Sequence, residues 1–176
     1  THKLSFLSRN QTLLPLAVLL FGSFVGLLDD LLQIYGSEKQ TKEGISRTMR
    51  ILVVLLIGAL CAWWFYFKLQ VLSIHIPFYA EFELGLLFIP FFMVVVLGTF
   101  SGSVIDGIDG LAAGVMTAAY GAYMIIALSQ QQIDLAAFCA VVMGGLLAFL
   151  WFNIPPARFY LGETGMLGLT VCLAIV

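Results

Sequence analysis

The sequence predicts an all-α protein, a polytopic transmembrane helix bundle with five complete spans and an incomplete sixth. Of its 176 residues, 61% are hydrophobic and only 10% are charged, whereas a soluble domain is about 45–50% apolar and about 25% charged. The mean hydropathy is +1.05. Because a bilayer core takes about 20 residues per helix, the chain has room for about five or six spans. We therefore expect one transmembrane domain over residues 1–176, embedded in a lipid bilayer.

Long apolar stretches mark the spans, and we expect helices because an open strand leaves its backbone groups unpaired in lipid. The five complete stretches are residues 13–28, 51–67, 84–100, 111–128 and 135–151, and the sixth begins near Met166. Cys61, Cys139 and Cys172 each lie within an apolar run. This placement favours buried spectator thiols over a disulfide or a metal site.

The connections between spans predict the orientation. Residues 37–50 form a polar segment that carries four of the eight basic residues, so the positive-inside rule places it in the cytoplasm. Counting spans from there puts residues 102–110 and 153–165 on the same side and the hairpin-like segment 72–83 outside. With a net charge of −2, the chain is not expected to bind nucleic acid, which would require a clustered basic face.

The same count gathers acidic residues at the cytoplasmic end. Asp29 and Asp30 follow the first apolar stretch, at the expected C-terminal end of its helix, where the macrodipole disfavours negative charge. Asp106 and Asp109, at i and i+3, would share a helix face if the helix begins there, and Glu163 precedes the sixth span. Carboxylates at the edge of a hydrocarbon core usually pair with a cation, a basic side chain or water. Facing the basic segment, they favour a divalent cation and a polyanionic substrate.

Structural interpretations compete with this one. Gly110 and Gly114 are more simply explained as a helix-packing pair than as a phosphate cradle, and an Asp pair that ends a span can be an interfacial cap. Five carboxylates from three places in the sequence favour a functional site. Oxygen ligands suit Mg²⁺, or Mn²⁺ as the alternative, better than zinc, because His75 is external and His2 is terminal.

Phosphoryl transfer needs mainly positioning and charge neutralisation, which such a site supplies. A membrane enzyme of this kind would join a nucleotide-activated group to a lipid phosphate or alcohol. A DDxxD prenyl-diphosphate motif is excluded because Gln33 and Tyr35 leave no third acid. A CDP-alcohol phosphotransferase motif is excluded because Gly114 and an apolar helix follow Asp109 where Arg and two further acids are needed.

Four segments resemble the polyprenyl-phosphate N-acetylhexosamine-1-phosphate transferases in order and spacing. They are residues 26–30 (Gly-Leu-Leu-Asp-Asp), 42–47 (Lys-Glu-Gly-Ile-Ser-Arg), 106–112 (Asp-Gly-Ile-Asp-Gly-Leu-Ala) and 150–165, with Trp-Phe-Asn and Leu-Gly-Glu-Thr-Gly. The resemblance implies a Mg²⁺-dependent transferase at the bacterial inner membrane, with its active site facing the cytoplasm. It would move a sugar-1-phosphate from a UDP-activated amino sugar to polyprenyl (undecaprenyl) phosphate and release UMP.

Within the family, the branch that transfers phospho-MurNAc-pentapeptide and makes lipid I for peptidoglycan fits best. Its supporting features are Trp151, the Lys-x-Gly-Ile-Ser loop and residues 76–78 (Ile-Pro-Phe). The branch that transfers GlcNAc-1-phosphate is the alternative, since residues 109–114 suit it equally well.

The resemblance also implies residue roles. Asp29 would be the base that deprotonates or orients the lipid phosphate, Asp30 would support the metal or the basic loop, and Glu163 would bind Mg²⁺. The implied substrate contacts are Asp106, Gly107 and Asp109 in the nucleotide pocket, Asn153 hydrogen-bonded there, Tyr160 stacked on uracil, and Lys42 and Arg50 at the diphosphate.

Three positions depart from the family pattern. Glu163 stands where Asp is usual, Gln33 where Lys is usual, and residues 101–103 replace an Asn-rich segment. The family's roughly ten spans, at about 20 residues each, need about twice this length, so we expect a central fragment that is inactive alone. A homodimer is compatible with the family. A cation-binding transporter and an inactive remnant are the two non-enzyme alternatives.

Overall fold

The computed structural model describes residues 10–35, 45–68, 73–75 and 81–176. Its elements in chain order are α1 (Asn10–Tyr35), α2 (Arg47–Lys68), β1 (Ser73–His75), β2 (Glu81–Glu83), a 3₁₀ turn (Gly85–Leu87), α3 (Phe88–Ser101), a second 3₁₀ turn (Gly102–Ile105), α4 (Leu111–Ser129), α5 (Ile133–Asn153) and α6 (Gly162–Leu173). The predicted helical membrane bundle is confirmed.

Four of the described helices, α1, α2, α4 and α5, are long and apolar enough to cross a membrane. The third expected span differs from the prediction. Residues Gly85–Leu87 form a 3₁₀ turn and α3 has only 14 residues, so this apolar helix is shorter than the other four. Gly85 lies at φ +51°, a backbone conformation outside the right-handed helix that glycine adopts without a steric penalty.

Two other helix boundaries also differ from the prediction. α1 continues to Tyr35, so Asp29 and Asp30 lie within the helix and not at its end. Residues 29–35 contain neither Gly nor Pro, and loss of hydrophobicity alone does not stop a helix. α6 begins at Gly162 and not near Met166. Hydropathy does not reveal its first turn, which is polar, and carboxylates from elsewhere in the chain bind the amides of that turn.

The connection between α2 and α3 contains the predicted hairpin. β1 and β2 pair antiparallel, with Ile74 opposite Phe82. We call this side of the bundle the hairpin end. The opposite side, where α2, α4 and α6 begin, is called the acidic end.

α6 lies between two apolar cores, and six of its twelve residues are buried. On one side Leu167 packs with Val54 of α2 and Val96 of α3. On the other side Met166 packs with Tyr120 of α4. The cysteines are free and buried in these cores, as the sequence predicts. The start of α6 therefore has a fixed place at the centre of the acidic end.

Glycines bring the backbones of α1 and α6 into direct contact, and α1 packs more extensively against α6 than against any other described helix. A Cβ built on Gly26 would lie 2.2 Å from the carbonyl oxygen of Glu163, and one on Gly168 would lie 2.2 Å from Oγ of Ser23. Side chains at these two positions would force the helices apart.

The glycine pair predicted to pack helices is the wrong one. A Cβ on Gly114 would meet nothing within 4 Å. Gly110 precedes α4 and has a positive φ of 76°, so its lack of a side chain serves a turn and not a helix contact.

Candidate functional site

Two aspartates from distant segments hold the first turn of α6. Oδ2 of Asp106 accepts a hydrogen bond from the Gly162 amide at 2.8 Å. Asp30 accepts hydrogen bonds from the amides of Glu163, at 3.2 Å, and Thr164, at 3.0 Å. These three N–H groups are among those that a helix leaves unpaired at its start. The positive end of the helix dipole thus faces two carboxylates, which it stabilises.

Arg50 of α2 joins α1 to α6 by two ion pairs. Its Nη2 lies 2.9 Å from Oδ2 of Asp29, and its Nη1 donates a hydrogen bond to Oε1 of Glu163. Asp29 is only 2% exposed and also accepts a hydrogen bond from the Ile45 amide. A buried carboxylate must be paired with a positive charge, and Arg50 supplies that charge to Asp29. Asp29 therefore contacts the basic segment, whereas Asp30 binds backbone amides at the start of α6.

A cavity of about 260 Å³ opens at the start of α6, and we call it the acidic cavity. Its lining includes Asp30, Gln33, Arg50, Ser103, Asp106 and Glu163. A second cavity of about 570 Å³ shares four of these residues and adds apolar side chains from α2 and α3, namely Ile51, Leu97 and Phe100. Charged groups and an apolar wall therefore meet beside Arg50 and Glu163.

The donor set of the acidic cavity fits a hard divalent cation. Mg²⁺ binds carboxylate oxygens, and Asp30, Asp106 and Glu163 present them to one cavity. Oε2 of Glu163 is buried and lacks a hydrogen-bond partner among the described residues. Within the same part of the chain, no three acidic, His or Cys side chains lie close enough to form a ready-made metal site. Arg50 binds Oε1 of Glu163, and the start of α6 binds both oxygens of Asp30 and Oδ2 of Asp106.

Asp109 belongs to a different hydrogen-bonded group from Asp106. Its Oδ1 accepts a hydrogen bond from the Tyr160 hydroxyl at 2.5 Å, and its Oδ2 accepts one from the Ala157 amide at 3.1 Å. The bond from Tyr160, and then that from Ala157, lower the pKa of Asp109 below its ordinary value. The same bond to Asp109 raises the pKa of Tyr160.

The expected common helix face of Asp106 and Asp109 is wrong, because α4 begins only at Leu111. Gly107, at φ +117°, and Gly110 place the two aspartates in a turn. Asp106 therefore contacts the start of α6, while Asp109 contacts the loop that precedes it.

Asn153, at the end of α5, joins this turn to the same loop. Its side chain is 1% exposed. Oδ1 accepts a hydrogen bond from the Gly110 amide at 3.0 Å, and Nδ2 donates one to the Phe159 carbonyl at 2.9 Å. A buried amide with both ends paired fixes the positions of the two segments it joins.

The structure brings the predicted site residues together in two groups. The first, around the acidic cavity, contains Asp29, Asp30, Arg50, Asp106 and Glu163. The second, around the loop before α6, contains Asp109, Asn153 and Tyr160, a residue that is 47% exposed. Gly107 lies between Asp106 and Asp109 in the turn before α4. Lys42 lies outside the described residues. Gln33, where the resemblance expects Lys, donates a hydrogen bond to Asp29 at 3.4 Å.

Three residues of the site were missed at the level of sequence: Gly26, Ser103 and Thr164. Ser103 lines both cavities. Oγ1 of Thr164 donates a hydrogen bond to Oδ2 of Asp30 at 2.5 Å. Thr164 could have been predicted as a helix-start residue, because it follows Glu163 just before an apolar stretch and hydroxyl residues favour helix starts.

Comparison with known proteins gives consistent matches. A sequence profile described as glycosyl transferase family 4 matches residues 12–176. The phospho-N-acetylmuramoyl-pentapeptide-transferase of Clostridium perfringens strain 13 is 39% identical over 155 residues, which cover 87% of this chain and 48% of that protein. The corresponding proteins of Listeria monocytogenes and Chloroflexus aurantiacus are 35% and 32% identical, over 93% and 98% of this chain and 50% and 49% of theirs. The chain thus spans about half the length of the curated relatives it matches.

Proposed function

The chain belongs to glycosyl transferase family 4, and from that membership we propose that the protein transfers phospho-MurNAc-pentapeptide from its UDP-linked donor to polyprenyl phosphate. The names of the relatives support this choice of donor. The observation that carries the proposal is the acidic cavity, where three carboxylates and Arg50 meet at the start of α6. Such an arrangement suits a diphosphate accompanied by a divalent cation.

Arg50 and Asp29 act on the lipid phosphate in this proposal. Arg50 lines both the acidic cavity and the cavity with apolar walls, so its guanidinium can bind a phosphate whose hydrocarbon chain lies against α2 and α3. Asp29 is buried and ion-paired with Arg50. Its burial favours the orienting role over direct proton abstraction.

The donor spans both groups of residues, with its nucleotide beside the loop before α6 and its diphosphate beside Arg50. The Tyr160 ring stacks on uracil, and Asp106, Gly107, Asp109 and Asn153 shape the nucleotide pocket. Lys42 and Arg50 bind the diphosphate. An oxygen of the lipid phosphate attacks the β-phosphorus, the bond from that phosphorus to the oxygen of UMP breaks, and UMP leaves with the electron pair.

Glu163, with Asp30 or Asp106, would hold Mg²⁺ in this proposal. When bound, the ion would neutralise negative charge on the diphosphate. The residues of the chain bind and orient the two phosphates.

UMP release tests the function directly. The protein, expressed from its full reading frame and placed in lipid nanodiscs, is given undecaprenyl phosphate, Mg²⁺ and either UDP-MurNAc-pentapeptide or UDP-GlcNAc. We expect UMP from the first donor and none after chelation with EDTA. Glu163→Gln should reduce the rate at least tenfold, the scale of losing one charge-stabilising group. Asp134→Asn, at the hairpin end of α5, is the control and should leave it unchanged.

Two results would change the assignment. UMP release from UDP-GlcNAc alone would move the protein to the GlcNAc-1-phosphate branch. No release from either donor, combined with cation flux in liposomes that Asp106→Asn abolishes, would identify a transporter instead.

We also propose that the acidic end faces the cytoplasm at a bacterial inner membrane, because Arg47 and Arg50 lie there and the sequence that leads to them is basic. Ser46 is exposed at this end, while the native cysteines are buried. Ser46→Cys should react with a membrane-impermeant maleimide in inverted vesicles and not in intact spheroplasts. The opposite labelling pattern would reverse the orientation.

A further inference from the structure

Thr164 makes two hydrogen bonds to one oxygen of Asp30. Its amide donates to Oδ2 at 3.0 Å and its hydroxyl donates to the same atom at 2.5 Å. The other oxygen, Oδ1, accepts from the Glu163 amide. Asp30 thus takes the place of an N-cap side chain, although it comes from α1, 134 residues before Thr164.

The hydrogen bond from the Thr164 hydroxyl is not needed to begin a helix. Backbone amides at a helix start are present whatever the residue, whereas the O–H of Thr164 is specific to the side chain. Charge-assisted hydrogen bonds of this kind are shorter and stronger than neutral ones. The Thr164 hydroxyl therefore fixes the orientation of the Asp30 carboxylate. That orientation determines how far each carboxylate oxygen faces the acidic cavity.

Glu163 depends on the same contact. It lies between Gly162, whose amide is bound by Asp106, and Thr164, which is bound by Asp30. Its own amide is bound by Asp30, and its carboxylate reaches Arg50. A turn held on three successive amides fixes the backbone of Glu163, and the bond to Arg50 then directs its carboxylate.

We propose that Thr164 is a positioning residue for the acidic cavity: its hydroxyl orients Asp30, and Asp30 holds the first turn of α6 so that the Glu163 carboxylate keeps its place beside Arg50. Where it concerns catalysis, this inference rests on the proposed function. Thr164 itself contacts no substrate in this proposal. Its effect passes through Asp30 and Glu163.

The closing experiment compares hydroxyl, isosteric and control variants in the complete protein. Thr164→Val keeps the branched shape without the donor, Thr164→Ala removes the side chain, and Thr164→Ser restores the donor. Thr170→Val is the matched control on the same helix, because its hydroxyl bonds the Met166 carbonyl of α6 itself at 2.6 Å. The measurements are kcat and donor KM for UMP release, and hydrogen exchange of the Glu163 and Thr164 amides.

We expect Thr164→Val and Thr164→Ala to lower kcat about tenfold while donor KM changes less than about twofold, as for a group that orients reacting residues without binding the donor. Exchange of the two amides should quicken in both variants. Thr164→Ser and Thr170→Val should resemble the parent protein in both measurements.

Three results would overturn the inference. They are parent-like kcat and exchange in Thr164→Val, a loss in Thr164→Ser as large as that in Thr164→Val, or an equal loss in Thr170→Val. If the parent protein releases no UMP, the proposed function fails, and amide exchange in the same variants decides the positioning role on its own.

Discussion

The hydroxyl of Tyr160 donates a hydrogen bond to Oδ1 of Asp109, and this 2.5 Å contact ties the loop before α6 to the turn before α4. The bond stabilises the charged form of Asp109 and therefore lowers its pKa. It also holds the exposed Tyr160 ring in one orientation. A ring fixed in this way is ready to stack on a flat base without losing further conformational freedom.

Tyr160→Phe should raise the pKa of Asp109 towards its ordinary value, since the largest cause of the lowering is removed. Because the folded pKa is depressed, the stabilisation is complete above the unfolded carboxyl pKa of about 3.9 and is lost as the pH falls through the folded value. Thermal unfolding between pH 7 and pH 3 should show a parent advantage that is constant near neutral pH and declines as the pH falls below about 3.9. Tyr123→Phe on α4 is the control. A parent advantage that persists unchanged at pH 3 would contradict the assignment.

Asn153→Ala should destabilise the protein by about 2 kcal/mol or more. It leaves the part-buried Gly110 amide and Phe159 carbonyl without their partner, and a fully buried group left unpaired costs about 1–3 kcal/mol. Asn153→Asp should not restore stability, because a carboxylate cannot donate to the Phe159 carbonyl. Unfolding in detergent with added denaturant measures both. Ser129→Ala, which removes an exposed hydroxyl, should have little effect, and an equal loss there would argue against a special role for Asn153.

Arg50→Gln should cost about 3 kcal/mol of unfolding free energy, because Asp29 is left buried without its counter-charge. We place the cost at the low end of the range for buried pairs because the Arg50 side chain is 23% exposed. Adding Asp29→Asn should recover about 1 kcal/mol or more, so the double variant loses less than the sum of the two single variants. Arg47→Gln, one turn earlier and exposed, is the control. Strict additivity would show that the ion pair contributes nothing.

Gly26→Ala should destabilise the bundle by more than about 2 kcal/mol, since the added Cβ would lie 2.2 Å from the Glu163 carbonyl oxygen and 2.7 Å from Cα of Thr164. Both are backbone atoms, so α1 and α6 must separate. Gly114→Ala has open space around its Cβ and should be neutral or stabilising by up to about 1 kcal/mol. Thermal unfolding of the pair compares them, and similar melting temperatures would disprove the close contact.

The sequence was sufficient for the membrane bundle and for the gathering of acids at one end, because hydropathy locates spans and span parity locates loops. It was not sufficient for the helix ends. Hydropathy reports transfer into lipid, so it stopped the first span at residue 28, whereas the backbone continues in helix to Tyr35.

The pairing inside the site had no local signal. Asp106 meets Gly162 across 56 residues, and Asp30 meets Thr164 across 134. Spacing within a motif cannot show such contacts, which is why Asp106 and Asp109 were expected on one face. The glycines show the same limit, because the chain has 17 of them and only the docked helices distinguish Gly26 from Gly114.

The two carboxylates that cap the first turn of α6, Asp30 and Asp106, come from other segments of the chain. The site therefore forms only once these segments have assembled. An α6 that has entered the bilayer before docking has three amides at its tip without Asp30 and Asp106, and water or headgroups must pair with them. Only when α1 and the turn before α4 arrive does Glu163 acquire its fixed place. An incompletely folded chain therefore presents no organised acidic cavity, so the cavity forms only together with the native packing of α1 against α6.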